Sequence, residues 1–225
     1  MKLFETMGLW LDPVARAGPE AMAVDEWLLE ITTQPVLRVY RWDGAWASLG
    51  YFGEIADAEK AFPGVELVRR WTGGGMVDHR QDWTYTVVSP KGERLASERG
   101  AESYRRIHSL LAEVLVAEGI IAHLSSGEAE TGATLCFENP VNHDLVGLNG
   151  CKLAGAGQRR TRRGLLHQGS VAAACQGVFE SETRAQKLAE IISNHWEPLE
   201  LHPPAACLKH LTESRYGDLR WRNRR

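Results

Sequence analysis

From Gly18-Pro19 onward the chain sets Val24, Trp27, Leu28 and Ile31 at i, i+3, i+4 and i+7, the apolar stripe of a helix opened by proline. The period then shortens. Val36 to Trp42 alternates and is rich in β-branched and aromatic residues, Asp43-Gly44 makes a turn, and Trp46 to Tyr51 reads as the returning strand of a hairpin. Ile55 to Phe62 reads as a short helix closed by Pro63-Gly64, Val65 to Arg70 as a strand entering Gly73-Gly74-Gly75, and Trp83 to Val88 as another strand. Tyr104, Ile107, Leu111, Val114 and Leu115 share one face of a long helix from about Ala101 to Glu118. Gly119 stops it before a strand at Ile120 to Leu124, and the small polar stretch Ser125 to Thr134 reads as a loop. His143 to Leu148 and Lys152 to Arg159 flank Asn149-Gly150, the strongest hairpin signal in the chain. A second turn at Thr161 to Gly164 leads into Leu165 to Ala174. Helices over Ser181–His195 and Pro204–Ser214 follow, and the tail from Arg220 to Arg225 is expected to be loosely held.

Strands joined by hairpins, with helices grouped between them, predict an α+β fold with a mixed, largely antiparallel sheet and flanking helices. At 225 residues the chain is long enough for one domain with a substantial core, expected over 1–217 with a basic C-terminal tail over 218–225. With 44% hydrophobic and 24% charged residues it is neither disordered nor collagen-like. The net charge of −3 argues against a wholesale grip on nucleic acid, and no apolar run reaches the length of a membrane span. No signal peptide is visible, and Cys136, Cys151, Cys175 and Cys207 form no CxxC pair, so reduced thiols and a cytoplasmic location are expected.

Four segments carry candidate chemistry. Arg69-Arg70-Trp71-Thr72-Gly73-Gly74-Gly75 joins two predicted strands; its glycines bare backbone N–H groups, and its arginines can neutralise a phosphate or carboxylate. Taken alone, a surface turn beside a solvated arginine pair explains it as well. It is no Walker loop, since no Gly-Lys-Ser/Thr follows. In Asn149 to Arg159, one lysine, Lys152, precedes the small residues Ala154-Gly155-Ala156-Gly157, which would open a groove for an acyl carbonyl or a phosphate. Close sheet packing is the plainer account. The third segment, Leu165 to Val171, contains His167, and the fourth is Cys136-Phe137 at the end of the polar loop. Most free cysteines are small buried hydrophobes. A loop position singles out Cys136, Cys151 is its rival, and Cys175 and Cys207 read as structural. No HExxH, EF-hand loop or GxSxG is present, and the histidines lack ligand spacing, so no metal site is expected.

Arg-Arg-x-Thr-Gly-Gly-Gly, Cys-Phe, Gly-x-Lys-x-x-Gly-x-x-Gln and Leu-His-Gln-Gly-Ser, in that order, resemble the lipoyl branch of the biotin/lipoate protein ligase family. Ala23-Val24-Asp25-Glu26, Leu37 to Trp42 and Ser48-Leu49-Gly50-Tyr51 extend the resemblance over roughly residues 18 to 175. It implies a catalytic domain of the class II synthetase and biotin ligase type, acting on an octanoyl or lipoyl group destined for a carrier lysine. It also implies that Arg69, Arg70, Thr72, Gly73, Gly74, Gly75, His79, Gly155, Gln158, His167 and Gly169 bind substrate.

Two branches of the family differ in chemistry. Cysteine-dependent octanoyltransferases pass octanoate from acyl carrier protein through an enzyme thioester and need no cofactor; Cys136-Phe137 resembles their Cys-Phe. That reading makes Cys136 the nucleophile and Lys152 its cationic partner. Lowering a free thiol's pKa by about two units takes roughly 2.7 kcal/mol. The acceptors would be lipoyl carrier domains such as the glycine-cleavage H protein. Lipoate-protein ligases instead use ATP and Mg to form an acyl-adenylate, and Gly73-Gly74-Gly75 is nearer their pattern. His167-Gln168 reverses the transferases' Gln-His, and Gly157 stands where the family usually has Ala. A third reading, a non-catalytic protein binding a lipoylated or RNA partner, rests on Arg159-Arg160-Thr161-Arg162-Arg163 and the arginine-rich tail. On either enzymatic reading Lys152→Ala is expected to stop the chemistry and leave the fold intact.

Overall fold

The computed structural model describes residues 1–127, 139–172 and 181–224. In chain order its elements are β1 (Phe4–Leu11), α1 (Gly18–Ile31), β2 (Val36–Tyr40), β3 (Trp46–Leu49), α2 (Ile55–Ala61), β4 (Glu66–Arg69), β5 (Val77–Asp78) and β6 (Trp83–Pro90). Next come α3 (Arg94–Ser97), α4 (Gly100–Ala117), β7 (His123–Leu124), β8 (Leu145–Val146), β9 (Lys152–Thr161) and β10 (Gly164–Val171). Last are α5 (Ser181–Ile192), β11 (Ser193–Pro198), α6 (Ala205–Leu211), a π-helical turn at Thr212–Tyr216 and α7 (Leu219–Arg222).

Eight strands form the main sheet in the order β11-β1-β2-β6-β10-β9-β8-β7. Pairing is parallel from β11 through β2 and antiparallel beyond, so the expected α+β mixed sheet is present. One face is covered by α4 and α5, whose Ile107, Leu111, Val114, Leu188 and Ile192 pack on Leu37, Tyr85, Val87 and Leu165. The other face meets α1 and α6 through Met22, Val24, Leu28 and Leu208 against Trp10, Tyr40, Val88 and Leu166. A helix lodged between a sheet and further elements is buried nearly all round; α1 therefore buries Asp25 and Glu26 along with its apolar stripe.

A second, three-stranded sheet, β4-β3-β5, carries the glycine loop between β4 and β5. Its existence corrects the expected hairpin across Asp43-Gly44. Gly44 does turn the chain, at φ +90°, but β2 enters the main sheet between β1 and β6 while β3 leaves for the small one. Two bonds hold the strands apart: Asp43 N–H donates to Arg16 O, and Trp42 Nε1 donates to Thr84 Oγ1. The hairpin at Asn149-Gly150 does form, with Gly150 at φ +71° and a register shift within β8.

Three further differences share a cause, support from distant residues that local pattern does not reveal. β1 was not apparent in the sequence; it lies between two parallel neighbours whose partners are more than twenty residues away. The helix expected to run to His195 stops at Ile192, because Ser193 onward joins β1 as an edge strand. The tail is anchored rather than loose: α7 docks beside β4, and Trp221 Nε1 donates to Arg69 O. Among the described residues no helix is long and apolar enough to cross a membrane.

Candidate active site

Backbone contact fixes the glycine loop. A Cβ on Gly50 would lie well inside contact distance of Gly74 O, and one on Gly157 would do the same to Gly73 O, so β9 and the loop touch main chain to main chain. Gly74 has φ +94°, a region open chiefly to glycine. Thr72 Oγ1 donates to Gln168 Oε1 at 2.7 Å, and Gln168 Nε2 donates to Asp25 Oδ2 at the same distance. Asp25 in turn accepts from Arg38 at 2.6 Å, and Arg38 also bonds Asp12 at 2.8 Å. All these charges are buried, so each carboxylate offsets the desolvation of its partner. The loop is thereby tied to α1 and to the centre of the main sheet.

Between the loop and β9–β10 lies a narrow cleft. Met22, Tyr40, Trp42 and Val77 give it an apolar wall; Gly155, Ala156, Gly157 and Gly169 give it a surface of small residues and exposed backbone. An apolar wall of this kind is the chemistry an alkyl chain requires. Arg70 lines it, its guanidinium donating to Gly73 O, Gly75 O and Ser48 Oγ. His79 lines it too, stacked on Trp42 with ring centroids 4.1 Å apart. Asp82 can only accept, so His79 Nδ1–H donates to its Oδ2 at 2.7 Å. Nε2 then accepts the Ser48 hydroxyl at 2.6 Å. Asp82, His79, Ser48 and Arg70 form one polar chain along the cleft.

Lys152 meets the cleft at Gly155: a Cβ there would lie 2.5 Å from Lys152 Cε. Its ammonium is 2.5 Å from Asp144 Oδ2, with both side chains buried. Tyr104 OH donates to Asp144 Oδ1 at 2.5 Å and accepts the Ala156 N–H at 2.8 Å, locking Asp144 to β9. The pair carries no net charge. Lys152 therefore stands at the cleft edge as half of a neutral buried pair, its Nζ also 3.4 Å from Asn139 O.

Gln158 and His167 lie on the opposite face of the sheet, toward α4. Gln158 Oε1 accepts from Ser103 of α4, while Gln158 Nε2 donates to His167 Nδ1 at 3.0 Å. That leaves the His167 proton on Nε2, facing Tyr85 OH at 3.2 Å. Burial holds His167 well below the ordinary histidine range, and burial pushes neighbouring His108 down to about 4. Both are neutral at pH 7.

The structure thus gathers Arg70, Thr72, Gly73, Gly74, Gly75, His79, Lys152, Gly155 and Gly169 around one cleft. It turns Gln158 and His167 behind the sheet and gives Arg69 other work. Arg69 donates to the carbonyls of Gly50, Tyr51, Gly53, Arg222 and Arg224, bracing the tail against the β3–α2 turn. Cys136 and Cys175 lie outside the described residues. Cys151 is exposed, and Cys207 is half-buried against the α1 core. Sequence reasoning missed Ser48, Asp82, Tyr104 and Asp144 as site residues. A signal for Asp144 existed, since the Asn149-Gly150 hairpin returns Lys152 opposite Val146, two residues beyond it.

Fold and site together define an α+β domain in which a glycine loop roofs an apolar cleft with a buried lysine at its edge. The sequence profile described as lipoyl protein ligase A/B catalytic domain matches residues 18–207, and the chain belongs to that family. It is 34% identical over 173 residues to octanoyltransferase LipM of Carboxydothermus hydrogenoformans, a match covering 72% of this chain and 63% of that protein. To octanoyltransferase LipM of Staphylococcus aureus it is 32% identical over 166 residues, covering 67% and 60%. The chain thus spans less than two thirds of these relatives' length. In fold it is similar to lipoate-protein ligase A bound with ATP, with TM-score 0.73, 17% identity and coverage of 99% and 98%. It is also similar to a bi-partite lipoate protein ligase from Thermoplasma acidophilum, with TM-score 0.71, 15% identity and coverage of 99% and 96%.

Proposed function

We propose that the protein moves an octanoyl group from an acyl carrier protein to a lysine of a lipoyl carrier domain, through a thioester on Cys136. The observation that carries this reading is Lys152, held by Asp144 at the edge of an apolar cleft roofed by the glycine loop. Kinship to proteins named octanoyltransferase supports it.

In the first step the Cys136 thiolate attacks the donor thioester carbonyl, and the carrier thiolate leaves. In the second the acceptor amine attacks the enzyme thioester, forming an amide and releasing the Cys136 thiolate; the proton lost by the amine balances that thiolate. Negative charge collects on the carbonyl oxygen in both steps, and a directed donor there lowers the barrier. Lys152 Nζ is that donor. The alkyl chain lies along Met22, Tyr40, Trp42 and Val77. Glycines at 155 and 157 make room beside it for Lys152 and for the glycine loop. This chemistry requires no cofactor, and a cytoplasmic enzyme would meet both carriers.

Intact-mass measurement after incubation with octanoyl carrier protein, without ATP, tests the proposal. One octanoyl group on the wild type and none on Cys136→Ser is the expected result. Transfer that requires ATP and Mg and survives Cys136→Ser would make the protein an adenylate-forming ligase, with the same cleft holding the adenylate.

A further inference from the structure

Beside the glycine loop, three arginines and three aromatic rings alternate in a closed circle. Arg159 lies 5.2 Å from the Tyr51 ring centroid and 4.9 Å from that of Trp71. Arg215 lies 4.9 Å from Trp71 and 5.3 Å from Trp221. Arg224 closes the circle, 5.2 Å from Trp221 and 4.1 Å from Tyr51. Glu26 neutralises Arg215 at 2.6 Å. Among the described residues, neither Arg159 nor Arg224 has an ion-pairing carboxylate. Next to them Phe52 points into solvent, 84% exposed, its ring edge-on to Tyr51 at 4.9 Å.

We propose that this ring is the docking surface for an acidic acceptor domain, the one whose lysine takes the acyl group. The inference rests on the transfer reading given above. Anchoring of the tail alone would not need two guanidinium groups against one tyrosine ring, neither of them with an ion-pairing carboxylate among the described residues. Stacking on aromatic faces holds both side chains in place before any partner arrives, which lowers the entropic cost of binding. Tyr, Trp and Arg around an exposed apolar residue are the composition of protein-binding hot spots.

Position selects the acceptor over the donor. Tyr51 N–H donates to Thr72 O at 2.8 Å, and Trp71 belongs to the loop motif itself, so the ring packs beside the loop that roofs the cleft. A lysine presents its amine on a four-carbon stem. The domain bearing it must therefore rest against the entrance, whereas a donor that delivers its acyl group on a longer arm need not. Carboxylates on such a domain would complete the charge of Arg159 and Arg224.

The test is direct binding of a glycine-cleavage H protein, its acceptor lysine changed to arginine, measured by titration calorimetry at low and high salt. Arg159→Ser/Arg224→Ser should weaken binding about tenfold or more at low salt and remove most of its salt dependence. Phe52→Ser, which alters a side chain already in water, should weaken binding without lowering the unfolding temperature. Acyl loading from octanoyl carrier protein should be unchanged in both variants. Wild-type affinity in the variants, a loss confined to donor loading, or tighter binding of a single-stranded RNA oligonucleotide than of the H protein would each overturn the proposal. A wild type that binds the H protein through this surface but never acylates an unaltered one would sink the transfer reading and keep the surface.

Discussion

Lys152 Nζ and Asp144 Oδ2 stand 2.5 Å apart with both side chains withdrawn from water. Removing one partner of a buried pair leaves the other charge desolvated and uncompensated, at a cost of about 3–5 kcal/mol. Lys152→Ala should therefore destabilise the protein by that order, contrary to the expectation from sequence that the fold would be untouched. The double variant Lys152→Met/Asp144→Asn should recover most of the stability and none of the activity. Urea unfolding of the three proteins checks the first claim, and carrier acylation the second.

Gly157→Ala should displace the glycine loop, because the new methyl would collide with Gly73 O and lie within 2.8 Å of Thr72 Oγ1. Overpacking of this kind costs about 1–3 kcal/mol. KM for the acyl donor should rise more than kcat falls. Unchanged stability and KM would show that the loop stands farther from β9 than the backbone contact described above.

Burial keeps His108 near 4 and holds His167 well below the ordinary histidine range, whereas both titrate near the ordinary value of 6.5 once unfolded. Between those values the unfolded chain binds more protons than the native one, so stability falls as pH drops from about 6.5 toward 4. His108 alone contributes a loss of about 3 kcal/mol across that window. His108→Gln should flatten the acid limb of stability against pH, read by urea midpoints at half-unit steps.

Asp25→Ala would leave wholly buried Arg38 with Asp12 but without its second carboxylate, and remove the acceptor that aligns Gln168 with Thr72. A loss of about 3–5 kcal/mol is expected. Near-ultraviolet circular dichroism should report loosening around Tyr40, whose ring stacks under the Arg38 guanidinium at 3.9 Å.

What the sequence made legible was local. The proline-opened α1, the stripe of α4, the Asn149-Gly150 hairpin and the glycine loop all lie in pieces of chain whose own residues dictate their shape. Partnership across the fold was not legible. The Arg69-Arg70 pair illustrates the limit: adjacent residues on a strand point to opposite faces, so Arg70 reaches the cleft while Arg69 reaches the tail. Periodicity cannot say which face meets which element. Likewise Gln158 and His167 sit beside cleft residues in sequence, and the same alternation turns them toward α4. Ser48 and Asp82 meet His79 only because β3 left the expected hairpin for the small sheet.

The bracing of Arg69 by the tail has a consequence for synthesis. Its partner Arg222 is 153 residues further along the chain. A ribosome adding about 5–20 residues per second reaches that partner some 8–30 s after Arg69 has been made. During that interval the β3–α2 turn lacks its strut, and Tyr51 lacks the Trp221 edge it later packs against. The surroundings of the glycine loop are therefore finished among the last parts of the molecule, so a nascent chain released before α7 would carry the loop and Lys152 without the tail that braces the β3–α2 turn.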